Sequence, residues 1–292
     1  MKKKLGAWIL CLAAVCALLP ARAHADIGPK PSVRISFVNM GDEACYGTLL
    51  SERRSTGPAY VWDGDPQHIS DHGQSREIWQ AFVDYEDPDG YYFLQESWDV
   101  GERKALNWTY YPPSRFKILL YFPEQDTYVS SGILERYAFD SYFTVDMEST
   151  GSGPVRAELT AEKSYRFTQE AVSLLCRIVF TILVELGVAW ICGLRSKQLM
   201  RIILRVNLVT QILLNVLLNI AGFYRGPWAF TFYYAVLEIV VFAVEAVLYR
   251  VLFRRAEGGG IPARKCIGYA FAANAASFAA GLLISRLIPA IF

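Results

Sequence analysis

Residues 229 to 253, AFTFYYAVLEIVVFAVEAVLYRVLF, constrain this chain more than any other stretch. They hold two acids before Arg250 across 25 residues, and about 20 apolar residues suffice for a helix to cross a hydrocarbon core. The segment therefore reads as a transmembrane helix. Glu238 and Glu245 lie seven positions apart, which at about 100° per residue puts them on one face, and Tyr249 continues that face. A carboxylate in lipid costs at least about 2.5 kcal/mol, so this face must turn toward other protein or a water-filled cleft. The helix thus demands partner helices.

Three more apolar segments supply them: 169–193, 199–223 and 266–288. Together with 229–253 they predict a four-helix transmembrane bundle over 169–292. The loop after the first segment carries Arg195, Lys197 and Arg201, and the loop after the third carries Arg250, Arg254, Arg255, Arg264 and Lys265. The loop between the second and third holds only Arg225. Basic loops that alternate in this way belong in the cytoplasm, which puts the chain ahead of 169 and the C-terminus on the other side. The N-terminus agrees independently. Three lysines, an apolar run from Leu5 to Leu19 and Ala23-His24-Ala25 form the pattern of a secretory signal peptide over 1–25; an uncleaved anchor helix is the alternative. The expected location is the cell membrane, multi-pass, with the N-terminal domain and the C-terminus extracytoplasmic.

Charge divides the same way. From 26 to 165 the chain carries 23 acids and 12 bases, and from 166 onward 5 and 13. An acidic half suits an aqueous extracytoplasmic setting, and neither half is built for nucleic acid. Of six cysteines only Cys45 falls in the expected soluble domain, so no disulfide can close within it.

Residues 26–160 read as that domain. Ser32 to Val38 alternates with period two, and Phe116 to Phe122 and Ser141 to Met147 are similar strands. Trp62-Asp63-Gly64-Asp65, Pro88-Asp89-Gly90 and Tyr111-Pro112-Pro113-Ser114 are turns. Ile78, Trp79, Phe82 and Val83, behind a candidate cap at Ser75, favour one short amphipathic helix over a strand. The expected fold is an extracytoplasmic antiparallel β-sandwich with that helix on or beside it, joined through a linker at 161–168 to the four-helix bundle.

Candidate chemistry concentrates in the membrane segments. Glu185 in the first, Asn207, Thr210, Gln211 and Asn215 in the second, Glu238 and Glu245 in the third and Asn274 in the fourth occur at overlapping depths. Such groups pair inside a bundle, because each unmet donor or acceptor in lipid is costly. They form either an ion, proton or small-substrate site with the three glutamates titrating, or interhelical glue. Arg177, Arg205 and Arg286 are expected to snorkel to the interfaces. Ser277, Gly281 and Ser285 form a small-residue packing seam, within the chain or between chains.

In the soluble domain, His68, Asp71 and His72 with Asp63 and Asp65 could be drawn as a metal site, but the surroundings read as an exposed loop. Asp87, Asp89 and Glu96 fit part of a calcium-loop spacing, yet Tyr85 stands at the first ligand position, so a turn is expected. No P-loop, GxGxxG or HExxH occurs, and the membrane segments contain no histidine. No metal, cofactor or catalytic residue is indicated.

Asp26-Ile-Gly-Pro-Lys-Pro-Ser-Val33, Cys45-Tyr-Gly-Thr-Leu-Leu-Ser-Glu52 and Tyr137-Ala-Phe-Asp-Ser-Tyr-Phe-Thr-Val-Asp146 resemble signal-bearing membrane proteins of anaerobic Gram-positive bacteria. Asn207-Leu-Val-Thr-Gln211, Glu238-Ile-Val-Val-Phe-Ala-Val-Glu245 and Asn274-Ala-Ala-Ser-Phe278 are similar to a wider group of bacterial four-helix membrane domains. The resemblance implies architecture and brings no activity. Two functions fit: a membrane-anchored extracytoplasmic binding or interaction protein, or a small ion- or proton-coupled transport or relay component using the glutamates. Besides the lipid bilayer, the expected partner is a protein, met through the acidic outer domain or the small-residue fourth helix.

Overall fold

The computed structural model describes residues 28–70, 75–148, 157–258 and 260–287. The expected signal peptide with its cleavage site, Asp71, His72 and residues 149–156 lie outside the described residues, as do the side chains of Ser285 and Arg286. Sheets occupy the N-terminal part and four long helices the C-terminal part.

The first sheet runs in the order β4 (Ala105–Trp108), β1 (Ser32–Val38), β8 (Asp140–Asp146), β9 (Ala161–Lys163). The second runs β3 (Trp98–Asp99), β2 (Tyr46–Ser51), β5 (Arg115–Phe122), β6 (Thr127–Ser130), with β7 (Leu134–Glu135) also on β5. The expected antiparallel arrangement needs one correction: β1 and β8 pair in parallel, Val33 beside Ser141 and Ile35 beside Phe143. Hairpins force antiparallel neighbours, but more than a hundred residues separate these two strands, so no turn dictates their direction. A second correction concerns the stretch expected as linker, where Ala161–Lys163 forms β9 against β8.

Burial explains the strand patterns. β1 alternates as expected, with Val33, Ile35 and Phe37 inward, whereas β2 and β5 are buried along most of their length. The second sheet is covered on both faces. One face meets the first sheet through Leu49, Ile118, Leu120, Phe122, Phe143 and Val145. The other is covered by α1 (Arg76–Asp84), whose Ile78, Trp79 and Phe82 pack on Leu50 and Leu119. The expected cap is present: the Ser75 hydroxyl accepts from the Ile78 N–H at 3.3 Å, an interaction worth about 1 kcal/mol. A single turn of helix, α2 (Val100–Arg103), precedes β4.

The four long helices are α3 (Phe167–Ile191), α4 (Lys197–Arg225), α5 (Pro227–Ala256) and α6 (Ala263–Leu287). α3 and α4 are each long and apolar enough to cross a membrane. In space α3 packs on α4, α4 on α5 and α5 on α6, and α6 touches α3. Their outward faces carry large apolar side chains, among them Leu175, Val179, Leu183, Val209, Leu213, Leu217, Ile239 and Val247, all exposed. The polar residues midway along them, Glu185, Asn207, Gln211, Asn215, Glu245 and Asn274, are buried instead.

The β-domain is fixed directly to one end of the helices. The Ser141 hydroxyl accepts from the Tyr137 and Ala138 N–H groups, shaping the turn before β8. That turn brings the Phe139 N–H to the Phe223 carbonyl at 2.8 Å. Tyr137, Tyr165 and Phe167 gather around the Phe223 ring. Gly226, between α4 and α5, has φ +82°, and a Cβ there would stand 2.7 Å from the Phe139 ring. Glycine is the one residue that meets both demands, and Pro227 then starts α5 where no N–H is needed.

Candidate functional site

The polar residues of the four helices form two layers along the helix axis. The layer far from the β-domain centres on two carboxyl groups. Glu245 of α5 is fully buried; its Oε1 accepts from the Thr210 hydroxyl and its Oε2 from the Asn274 amide, both at 2.7 Å. Three helices are tied at this point. Glu185 of α3 is equally buried, but neither of its carboxyl oxygens has a hydrogen-bond partner. Asn207 and Ser277 flank it, and the Asn207 Nδ2 is likewise unpartnered while its Oδ1 accepts from the Tyr249 hydroxyl at 2.8 Å. A buried polar atom without a partner costs about 1–3 kcal/mol, so this layer is tightly enclosed and incompletely satisfied.

Beyond the carboxyls, farther still from the β-domain, an aromatic and aliphatic layer closes the ring. Tyr249 stacks on Phe253 at 5.1 Å and meets Tyr269 at 5.2 Å, with Leu194, Leu199, Ile203, Cys266 and Ala270 packed around them.

On the side toward the β-domain the four helices part into a cleft of about 290 Å³. Arg177 and Thr181 of α3, Gln211 and Asn215 of α4, Phe230, Tyr234 and Glu238 of α5, and Ser277 and Gly281 of α6 line it. Gln211 is 2% exposed and its Nε2 has no partner, while its Oε1 receives the Asn215 amide at 3.4 Å. Arg177 donates from Nη2 to Asn219 at 2.8 Å and lies 5.6 Å from the centre of the Phe230 ring; its buried Nε is unpartnered.

All eight polar residues read from the sequence turn inward or line the cleft, Thr210 beside Glu245 among them, but they do not form one cluster. Glu185, Asn207, Glu245 and Asn274 share the deep layer; Gln211, Asn215 and Glu238 line the cleft. Of the packing seam, Ser277 and Gly281 are buried, and a Cβ on Gly281 would meet the Tyr234 hydroxyl at 3.5 Å. Arg177 overturns its expectation: it faces Asn219 and the cleft instead of snorkelling outward. The signal was present, because Arg177, Thr181 and Glu185 repeat the four-residue spacing of Asn207, Gln211 and Asn215 on the neighbouring helix. Tyr269, whose hydroxyl donates to the Glu185 carbonyl at 3.3 Å, lies in an alanine-rich run without such a pattern.

The soluble-domain motifs are structural among the described residues. His68 Nδ1 lies 2.8 Å from the Asp63 carboxylate in an exposed turn. That hydrogen bond raises the imidazole above its ordinary value, and backbone and His68 contacts lower Asp63. The partial calcium-loop spacing holds a lysine: Lys117 Nζ sits 2.6 Å from Asp87 and 3.0 Å from Asp89. No group of three or more potential metal ligands occurs among the described residues.

No protein family, curated protein or solved structure matches the chain.

Proposed function

We propose that the chain is a multi-pass membrane protein whose four helices anchor an extracytoplasmic β-domain that binds a partner. The carrying observation is the inverted polarity of the helices: large apolar side chains face outward while Glu185, Glu245, Asn207 and Asn274 are buried. That distribution suits lipid as the surrounding solvent. In this reading α5 and α6 cross with α3 and α4, completing a transmembrane bundle with both termini extracytoplasmic. The two β-sheets and their shared core make up the displayed domain. Anchoring is favoured over conduction because the Tyr249, Phe253 and Tyr269 layer stops the cleft from continuing through the helices.

The Glu185 carboxyl favours one alternative. A fully buried acid with two unpartnered oxygens suits a proton or ion relay better than it suits packing. Proteoliposomes holding the full chain separate the two readings. As an anchor, the wild type gives no proton or sodium flux above empty vesicles, and Glu245→Gln lowers thermal stability without creating any. Wild-type flux that is abolished by Glu245→Gln in a folded protein contradicts the anchor and establishes the relay.

A further inference from the structure

The cleft toward the β-domain is chemically two-ended. The Arg177 guanidinium lies at the level of Phe230, and Glu238 is eight residues farther along the same helix, about 12 Å at 1.5 Å per residue. No ion pair joins the two among the described residues; both line the cleft, where Glu238 is hydrogen-bonded by Tyr234. Leu214, Leu218 and Phe230 supply apolar walls. Two further observations concern unpartnered donors at the cleft. Gln211 presents an unpartnered Nε2 from a side chain that is 98% buried by its 2% exposure, and the buried Arg177 Nε has no acceptor although Nη2 is engaged. An Arg with its Nε edge free is shaped for a carboxylate, which takes Nε and one Nη side by side. The cleft volume of about 290 Å³ stands at the small end of pockets that enclose organic ligands.

We propose that this cleft binds a small zwitterion of the amino-acid type, with its carboxylate on Arg177, its ammonium on Glu238 and its carbon chain against Leu214, Leu218 and Phe230. This site lies within the helices and stands apart from whatever the β-domain binds.

The test uses the full chain in nanodiscs, titrated by calorimetry with 6-aminohexanoate and, separately, with hexanoate and hexylamine. The expected result is saturable binding of 6-aminohexanoate, with hexanoate and hexylamine each at least tenfold weaker. Arg177→Gln and Glu238→Gln each weaken the zwitterion at least tenfold. Gly281→Leu, which narrows the cleft while leaving both charges in place, also removes binding and serves if either charge variant fails to fold. Absence of binding by the wild type, equal affinity for a singly charged probe, or unchanged affinity in the folded variants overturns the proposal.

Discussion

Lys117 illustrates how a pattern that fits part of one chemistry can hold another. The acidic turn at Asp87 and Asp89 carries no calcium-loop geometry; it surrounds an ammonium that is itself 4% exposed on β5. Asp87 also accepts from the Asp89 and Tyr91 N–H groups, so its carboxylate is held from three sides. Burial by itself lowers the Lys117 ammonium, but hydrogen bonds and charge from Asp87 and Asp89 outweigh it and leave it raised. A raised base stabilises the fold below its unfolded value, and that contribution is lost only as pH climbs through the raised one. The pair therefore holds across the neutral range. Lys117→Met strands the Asp87 charge and should cost about 3–5 kcal/mol, read as a lowered midpoint in chemical denaturation of the full chain. Nothing in the local sequence announces this pair, because Lys117 lies 30 positions from Asp87 and alternation alone marks it as one more strand residue. By contrast the Ser75 cap and the Ile78, Trp79, Phe82 stripe were legible, since both ends of each contact lie within one helix.

At the scale of elements, helices disclosed more than strands. The four long segments follow from apolar runs long enough to cross a bilayer, and their inward faces from polar residues at helical spacing, such as Asn207, Gln211 and Asn215. Strand partners carry no such local mark, so the parallel pairing of β1 with β8 and the short β9 emerged only from the assembled sheets. The same limit applied within the helices. Sequence spacing gave each polar face, yet only the relative heights of α3, α4, α5 and α6 divide those faces into a deep layer and a cleft. The deep layer makes a direct prediction about helix packing. Asn274→Leu removes one of the two donors to Glu245 and should cost about 1–3 kcal/mol, seen as a lower unfolding midpoint in nanodiscs. Ala275→Leu, one position along and exposed, should leave the midpoint nearly unchanged. Equal effects at the two positions would remove the case for the Glu245 junction.

Across the whole molecule, the β-domain and the helices meet through backbone as well as side chains. The Phe139 to Phe223 hydrogen bond and the ring cluster of Tyr137, Tyr165, Phe167 and Phe223 join them. A domain docked so directly on the α4–α5 turn would, in the proposed membrane reading, share its side of the bilayer with that end of the helices. The central claim is that the helices span a bilayer with this domain outside, and site-specific labelling tests it most directly. In a chain whose own cysteines are replaced by alanine, single cysteines are introduced at Glu124, exposed in the β-domain, and at Arg201, exposed near the start of α4, and intact cells are treated with a membrane-impermeant maleimide. The account predicts labelling at position 124 in intact cells and at 201 only after permeabilisation; labelling of 201 in intact cells, or protection of 124, would contradict it.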